Sequence, residues 1–346
     1  MTQKAAIVGT GYVARVHAHA LRAIGVPVVA VCGRSTTREL AEELGVSGYA
    51  DLAELLERER PTALHVCTPN AAHAEQALLA LERGVHVVCE KPLTVSSAEA
   101  GQLVEAAAAT GLVAACCYHC RGYPLVARMR AEVEAGTVGT VQAVHGRYAC
   151  DDLHQLPTGW RYDPSASGPS YVVADLGTHW LDVAEHVSGD RVAGVFAEFV
   201  GEPLEHWASL LLRFESGAVG SLVLTAGAAG RKNQLLLELE GSTGGLTWDQ
   251  EEPNTLLVRH ASEPTRIVPK TEGPLARYPA GHAEGYGGAF RNLFAGVYAA
   301  IRREPHEPYP TFADGARGVA TVEAAVRSAR EGRWSPVEPE AHTIPT

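Results

Sequence analysis

The segment Gly9-Thr10-Gly11-Tyr12-Val13-Ala14 constrains the fold more than any other stretch of this chain. An apolar run from Lys4 to Gly9 precedes it, and a helical pattern from Val13 to Ile24 follows it. In a G-x-G-x-x-A turn the first glycine permits a tight turn, and the second lets a pyrophosphate approach the backbone. The small third residue allows the helix to pack closely on the strand. The segment therefore predicts a dinucleotide-binding turn with contacts from Gly9, Gly11, Tyr12, Val13 and Ala14.

Short apolar runs and helical patterns continue to alternate as far as residue 118. The runs cover residues 27–32, 63–67, 85–89 and 112–118. Runs of this kind are typical of parallel strands buried on both faces, and their alternation with helices is typical of a doubly wound sheet. We therefore expect an α/β class of fold in which residues 1–121 form a Rossmann dinucleotide-binding domain.

Residues 122–346 follow a different pattern. A helix over 124–134 leads into long strand-like runs that are separated by glycine-containing turns such as Glu215-Ser216-Gly217. This pattern predicts a C-terminal α+β domain with an open, mostly antiparallel sheet that serves substrate binding and oligomerisation. Because an open sheet face needs a cover, we expect a homodimer or homotetramer that forms through this sheet.

Composition excludes several classes of function. A net charge of −11 and a pI near 5.8 argue against nucleic acid or an anionic membrane as partner. No apolar run reaches the roughly 20 residues that cross a bilayer, and the N-terminus lacks the layout of a signal peptide. The seven cysteines show no disulfide-like spacing and fit a reducing cytoplasm. Those between Cys116 and Cys120 lie too close together for a tetrahedral cage, so no metal site is predicted.

The segment Gly33-Arg34-Ser35-Thr36-Thr37-Arg38 bears on the choice of cofactor. An acid that binds the adenosine ribose 2′-hydroxyl usually follows the glycine-rich turn by about 20 residues. None occurs between positions 31 and 38, where Arg34, Ser35 and Arg38 instead suit a 2′-phosphate. We therefore expect NAD(P) as cofactor and favour NADP. The alternative is that Arg34 stacks on adenine and the protein still accepts NAD.

The apolar run 85–89 ends abruptly in Glu90-Lys91-Pro92. Ligands of open α/β sheets bind at the carboxyl ends of the strands, and Pro92 restricts the backbone of Lys91. A lysine in a partly desolvated cleft loses proton affinity, which suits acid–base chemistry. A solvated loop lysine is the simpler interpretation of a Lys-Pro pair alone. The glycine-rich turn earlier in the chain favours an active-site lysine.

A second group of polar residues is Asp175-Leu176-Gly177-Thr178-His179-Trp180-Leu181-Asp182. We expect a helix that opens at Asp175 and runs to Val187, which places Asp175 and His179 on one face. A capping aspartate followed by a structural histidine is the simpler interpretation. Together with Lys91, however, these side chains suit a polar wall for a hydroxylated substrate.

Four motifs in this order resemble the Gfo/Idh/MocA oxidoreductases, which include glucose–fructose oxidoreductase and inositol dehydrogenases. The motifs are Gly9-x-Gly11-x-x-Ala14, Cys67-Thr68-Pro69-Asn70-x-x-His73, Glu90-Lys91-Pro92 and Asp175-x-Gly177-x-His179-x-x-Asp182. The resemblance implies that Lys91, Asp175 and His179 line the site where the nicotinamide meets the sugar. It also implies cofactor contacts from Thr68, Pro69, Asn70, His73, Glu90 and Lys91. Ala14 replaces a commoner glycine, and Arg34 stands where many NAD-preferring members carry aspartate.

The expected reaction is hydride transfer between the nicotinamide and a secondary alcohol or ketone carbon of a sugar, cyclitol or glycoside. Either His179 or Lys91 moves the hydroxyl proton, and we favour His179; Asp175 orients it or the substrate. Further substrate contacts are expected from His119, Arg121, Asp151, His154, Trp160 and Arg161. Two alternatives stay open. One is a tightly bound NAD that cleaves a glycosidic bond through transient oxidation, and the other is a non-catalytic regulator that senses the cofactor.

Overall fold

The computed structural model describes residues 3–155, 159–271, 273 and 275–338, which form two compact units. The first unit comprises 3–119 with Tyr286–Ala316, and the second comprises Cys120–Gly285 with 317–338. The strands of the first unit are β1 Ala5–Val8, β2 Val28–Cys32, β3 Ser47–Tyr49, β4 Ala63–Val66, β5 His86–Cys89 and β6 Ala114–Cys116. Those of the second are β7 Val141–Ala149, β8 Val192–Val200, β9 Trp207–Phe214, β10 Val219–Thr225, β11 Gln234–Gly241, β12 Gly244–Asp249, β13 Thr255–His260, β14 Glu263–Pro269 and β15 Ser335–Pro336.

Helices occur in both units. In chain order they are α1 Tyr12–Ala23, α2 Thr37–Leu44, α3 Leu52–Glu59, α4 His73–Glu82, α5 Ser97–Thr110, α6 Pro124–Glu134, α7 Asp152–Gln155, α8 Pro164–Ser167, α9 Thr178–Ser188, α10 Tyr286–Ile301 and α11 Phe312–Glu331. Among the described residues, none of these helices is long and apolar enough to cross a bilayer.

The sheet of the first unit is parallel, with the strand order β3-β2-β1-β4-β5-β6. This is the order of a doubly wound dinucleotide-binding sheet. Every residue of β1 and β4 is buried, which explains why their sequences are apolar runs without polar alternation. The predicted α/β class and the parallel sheet are confirmed.

Helix α10 belongs to the first unit, although it lies far along the chain. Its residues Phe290, Phe294 and Val297 share a buried apolar cluster with Ala14 and Leu21 of α1. The predicted division at residue 121 assigned all of 122–346 to a second domain and did not anticipate this return. A late amphipathic pattern shows that a helix has an apolar face, but it does not identify what that face packs against.

The second unit contains a nine-stranded sheet with the order β14-β13-β12-β11-β7-β10-β9-β8-β15. Neighbouring strands are antiparallel except β7 and β10, which are parallel. Helix α9 packs on the inner face, where Trp180 Nε1 donates to the Leu236 carbonyl at 2.9 Å. A Cβ at Gly146 would lie 2.2 Å from that nitrogen, so this close packing requires glycine. The predicted mostly antiparallel sheet is confirmed.

Candidate active site

The carboxyl ends of β1, β2, β4 and β5 lie at one edge of the first unit, because these strands are parallel. Backbone hydrogen bonds continue beyond the strands: Gly9 N donates to Cys32 O at 2.8 Å and Glu90 N to Val66 O at 2.9 Å. Four segments therefore share this edge. They are the glycine-rich turn 9–14, the Arg34 segment 33–38, the turn 67–70 after β4, and Glu90-Lys91-Pro92, which we call the Lys91 turn. Sequence motifs that are up to about 80 positions apart are thus brought to one rim.

Gly9 and Gly11 of the glycine-rich turn differ in how much space surrounds them. Gly9 has a φ of +102°, and a Cβ there would lie 2.3 Å from the Cys67 carbonyl oxygen, so packing within the unit requires glycine. Gly11 has a φ of −77°, and a Cβ there would meet nothing within 4 Å. The fold does not require glycine at 11. Open space at the N-terminus of α1 fits a bound pyrophosphate.

The two arginines after β2 have different surroundings. Arg38 Nε pairs with Glu42 Oε1 at 2.8 Å on the exposed face of α2. Arg34 is exposed and makes no ion pair or hydrogen bond with any residue that the structure describes. Ser35 is exposed as well, and Thr36 Oγ1 lies 2.6 Å from Thr10 Oγ1 of the glycine-rich turn. Arg34 is therefore the guanidinium that is available to a ligand here.

The Lys91 turn is anchored by the buried carboxylate of Glu90. Its Oε1 lies 2.9 Å from His17 Nε2, and its Oε2 accepts the backbone N–H of Lys91 at 3.2 Å. Burial acts to raise the pKa of Glu90, but the hydrogen bond from His17 and the charge of Lys91 lower it to about 2. Half-buried Lys91 therefore follows a carboxylate that is ionised at neutral pH.

His73 connects two of the turns at this edge. Its Nδ1 lies 3.0 Å from the Pro92 carbonyl oxygen and its Nε2 lies 2.9 Å from that of Thr68. The ring is fully buried, and burial lowers its pKa although both carbonyl oxygens favour the protonated form. Asn70 is buried too, whereas Pro69 is exposed and Thr68 Oγ1 donates to Gln76 Oε1 at 2.7 Å. The structure thus gives His73 contacts that brace the two turns.

His119 is buried against α10 within the first unit. Its ring stacks on Phe290 at a centroid distance of 4.6 Å and meets the edge of Tyr286 at 5.0 Å. Burial lowers its pKa to about 3, so the imidazole is neutral under physiological conditions. Any contact that His119 makes with a substrate is therefore made by an uncharged ring.

In the second unit Asp175 lies inside a helical segment, which corrects the expectation that it opens a helix. Val173–Gly177 form a π-helical turn that leads directly into α9. Glu205 caps this segment, since its Oε1 accepts from the backbone N–H groups of Tyr171 at 3.0 Å and Val173 at 3.1 Å. Sequence reasoning missed Glu205 because it lies on the loop between β8 and β9, with no local spacing to link them. π-helical turns are frequent at functional sites.

Asp175 lies beside Arg161, which in turn packs on Trp160; both were predicted to contact the substrate. Its Oδ2 lies 3.3 Å from Arg161 Nε, and the Arg161 guanidinium lies 4.8 Å from the centre of the Trp160 ring. Asp152, which was not predicted, has a pKa raised by burial and by the charge of Asp175. His179 is buried, with its ring 6.3 Å from that of Tyr148. The second unit therefore holds a cluster of carboxyl, guanidinium and aromatic groups.

Other predicted substrate residues already have protein partners. Arg121 binds Asp182 through two bonds, Nε to Oδ2 at 2.9 Å and Nη2 to Oδ1 at 2.5 Å, and both residues are largely buried. Asp151 Oδ2 accepts from Lys232 Nζ at 2.6 Å, which lowers the pKa of its carboxyl. His154 is exposed, with Nε2 3.4 Å from the Gly227 carbonyl oxygen. These contacts give Arg121 a structural role in the second unit.

Comparisons with known proteins agree with the fold and motifs. The profile of the oxidoreductase family with an NAD-binding Rossmann fold matches residues 3–118, and that of the GFO/IDH/MocA C-terminal domain matches residues 126–247. The uncharacterised oxidoreductase YfiI of Bacillus subtilis is 32% identical over 77% of this chain and 75% of its own length. Levoglucosan dehydrogenase of Pseudarthrobacter phenanthrenivorans is 27% identical over 95% of this chain and 96% of its own.

A solved structure is similar over nearly the whole chain. It is an inositol dehydrogenase homolog from Azotobacter vinelandii in complex with NADH and myo-inositol. The TM-score is 0.88 and the identity 30%, with 97% of this chain and 98% of that chain covered. The protein is therefore an oxidoreductase with an NAD-binding Rossmann fold. It belongs to the Gfo/Idh/MocA family, as its four motifs indicated.

Proposed function

We propose that the protein is an NAD(P)-dependent dehydrogenase of sugars, cyclitols or glycosides that acts at a secondary alcohol or ketone carbon. The observation that supports this most directly is the Lys91 turn, which shares the carboxyl edge of the sheet with the glycine-rich turn and is anchored by ionised Glu90. The relatives named for levoglucosan and inositol support the substrate class.

A nicotinamide cofactor would supply the hydride acceptor, or the hydride donor in the direction of reduction, and the open space beside Gly11 at the start of α1 would hold its pyrophosphate. The chain's own task is to manage the proton of the hydroxyl that is oxidised. Lys91 Nζ polarises the substrate oxygen, and His179 takes its proton, or returns it in the direction of reduction. Asp175, held by Arg161, orients substrate hydroxyls or His179. In the alternative mechanism Lys91 takes the proton and His179 polarises the substrate oxygen. Mutagenesis of each residue distinguishes the two assignments.

The test is a panel of sugars, cyclitols and glycosides incubated with the wild-type protein and either NAD or NADP. Absorbance of reduced nicotinamide is followed, and products are identified by mass spectrometry. We expect stoichiometric reduced cofactor and a ketone or lactone product from at least one substrate. Cleavage of a glycoside without net reduction of the cofactor would instead indicate transient oxidation. Cofactor binding without any product would indicate a regulator.

We further propose that NADP is the preferred cofactor. Arg34 is exposed and lacks a protein partner among the described residues, and no carboxylate between 31 and 38 opposes a 2′-phosphate. A charge-assisted contact of about 1.5–3 kcal/mol corresponds to a roughly ten- to hundredfold preference. Arg34→Ala should lower kcat/KM for NADP by about tenfold or more and leave that for NAD nearly unchanged. Arg38→Ala is the matched control, because Arg38 is paired with Glu42. A wild-type preference for NAD with no effect of Arg34→Ala would overturn this assignment.

The outer face of the large sheet supports the proposal of a homodimer or homotetramer. Leu211, Val219 and Val223 are 50%, 53% and 38% exposed, and they alternate with fully buried core residues on β9 and β10. The same face carries both signs of charge, as in the Arg259–Glu238 pair, which suits a second copy of itself. Light scattering should show that Leu211→Arg with Val223→Arg yields monomers, whereas Ala109→Arg on exposed α5 does not. A wild-type monomer would refute the proposal.

The cysteines support a cytoplasmic location. All seven are free and buried in the structure. Cysteines that stay reduced suit a reducing compartment, and localisation of a tagged full-length protein by fractionation tests this proposal.

A further inference from the structure

A chain of buried polar side chains runs inward from Glu90 through the first unit. Beyond the bond from His17 to Glu90, His17 Nδ1 lies 2.9 Å from His65 Nδ1, and His65 Nε2 lies 3.1 Å from the Tyr298 hydroxyl. His17, His65 and Tyr298 are completely buried and belong to α1, β4 and α10, respectively. Side chains from separate elements therefore converge on one carboxylate.

The protonation states of Tyr298, His65 and His17 indicate which group donates in each hydrogen bond of this chain. Burial raises the pKa of the Tyr298 phenol, so its O–H stays protonated. We assign this O–H as the donor to His65 Nε2, which lies 3.1 Å away. Burial lowers the pKa of His65, so its ring is neutral and the N–H that remains, on Nδ1, donates to the Nδ1 of His17. The Nε2–H of His17 then donates to Glu90 Oε1. Every donor in the chain points towards Glu90.

The surroundings explain why this order matters. The rings of His17 and His65 each lie 4.8 Å from the ring of Phe294, so apolar groups flank the chain. Other titratable groups that act electrostatically with Glu90 are Lys91, Cys67, His73, Cys89, Cys117 and His119. Burial raises the pKa of the three thiols and lowers that of His119, which leaves these groups neutral. His17 and Lys91 are therefore the principal groups that stabilise the ionised carboxylate.

The far end of the chain excludes a role in proton conduction to solvent. Tyr298 is fully buried, and release of its proton is disfavoured by burial. Its backbone carbonyl accepts from Gln3 Nε2 at 3.2 Å, but its hydroxyl lies at the inner end of the chain. A chain that ends in a group which keeps its proton fixes a hydrogen-bond direction instead of transporting protons.

We propose that His17, backed by His65 and Tyr298, is a positioning residue that keeps Glu90 ionised and so holds the Lys91 turn in its working geometry. This inference rests on the proposed function for its effect on turnover. Its effect on the ionisation of Glu90 is independent of any substrate.

The test compares two variants of His17 in the full-length protein. His17→Phe keeps the ring volume but removes the donor, whereas His17→Gln places an amide N–H near the position of Nε2. With 13C-labelled glutamate, infrared difference spectra against Glu90→Gln report whether Glu90 is ionised. We expect Glu90 to be protonated near neutral pH in His17→Phe and ionised in wild type and His17→Gln. An ionised Glu90 in folded His17→Phe would overturn the inference.

Turnover provides the second readout, on the best substrate of the panel. His17→Phe should lower kcat by about tenfold or more and shift the acidic limb of the kcat–pH profile upwards, with little change in cofactor KM. His17→Gln should recover most of the activity. An unshifted profile in His17→Phe would contradict the positioning role. Absence of wild-type turnover would instead refute the proposed function, and the infrared result would still decide this inference.

Tyr298→Phe covers the case in which His17→Phe does not fold. It removes one hydroxyl, leaves His65 without its donor and should lower kcat a few-fold with a smaller upward shift of the acidic limb. Tyr309→Phe is the matched control, because Tyr309 is a half-buried tyrosine of the same unit that lies outside the chain. Equal profiles for the two tyrosine variants would overturn the role of Tyr298 and His65.

Discussion

Glu90 and Glu205 are both buried glutamates, and each supports a segment that carries candidate active-site residues. Glu90 anchors the Lys91 turn in the first unit, and Glu205 caps the π-helical turn with Asp175 in the second. Their pKa values move in opposite directions. Burial is the largest influence on both, yet the pKa of Glu90 is lowered to about 2 whereas that of Glu205 is raised.

The partners explain the difference. Glu90 has His17 and the cationic Lys91 close by, and these groups outweigh the cost of burial. Among the described residues the donors to Glu205 are uncharged: they are the Ser170 hydroxyl and the backbone N–H groups of Tyr171 and Val173, and they do not outweigh the cost of burial. The Lys91 turn is therefore stabilised by an ionised carboxylate and a nearby cation, whereas the Asp175 segment is stabilised by hydrogen bonds from uncharged donors. This contrast predicts different responses of the two regions to mutation and to pH.

The largest effect is expected when the cation of the first region is removed. Lys91→Ala deletes the ammonium that polarises the substrate oxygen and helps to keep Glu90 ionised. We expect kcat to fall about a hundredfold or more, while circular dichroism shows a retained fold. Lys4→Ala, which alters a lysine of the same unit away from the site, should leave kcat unchanged. Near-normal turnover of folded Lys91→Ala would refute the assignment.

The next effect is a pH-dependent loss of stability at Glu90. A carboxyl whose folded pKa is lowered stabilises the protein above its unfolded pKa of about 4.5 and loses this contribution as the pH falls towards 2. Glu90→Gln should therefore destabilise the protein by on the order of 3 kcal/mol near pH 6 and by much less near pH 2–3. Urea unfolding across this range measures the difference. A difference that does not vary with pH would contradict the lowered pKa.

Glu205 should show a smaller effect with the opposite sign. Its folded pKa is raised, so its contribution is present below the unfolded pKa and is lost as the pH rises through the folded value. The stability of wild type relative to Glu205→Gln should thus decrease as the pH rises from 4 upwards. Urea unfolding of the two proteins at matched pH gives the slope. If the stability of wild type relative to Glu205→Gln instead increased with pH, as is expected for Glu90→Gln, the proposed difference between the two glutamates would be wrong.

The sequence predicted the first region better than the second for a physical reason. A parallel strand buried on both faces and a glycine-rich turn are local signals, so β1, α1, β5 and the Lys91 turn follow from short stretches of sequence. The π-helical turn and its cap by Glu205 depend on a contact between distant positions, and the spacing of Asp175 and His179 suggested an ordinary helix start. In the second unit β12 begins with Gly244 and Gly245, and two adjacent glycines are more typical of a turn than of a strand.

Partnerships between side chains were the least predictable part of the site. Arg121 and Arg161 are both arginines near aromatic residues in the sequence, yet Arg121 is bound to buried Asp182 and Arg161 lies beside half-buried Asp175. His17 lies two positions before His19, and His65 lies in the apolar run 63–67; only the fold joins His17 and His65 to Glu90 in one hydrogen-bonded chain. Residue type and spacing therefore predicted which turns lie at the edge of the sheet. They did not predict the buried hydrogen bonds that join His17 and His65 to Glu90.

The most direct test of the account is to follow the hydride itself. The best substrate of the panel is prepared with deuterium on the carbon that is oxidised, and the reduced cofactor is analysed by mass spectrometry and NMR. The account predicts one deuterium at C4 of the nicotinamide, net accumulation of reduced cofactor and loss of this transfer in Lys91→Ala. Product formed without deuterium in the cofactor, or full transfer by Lys91→Ala, would contradict it.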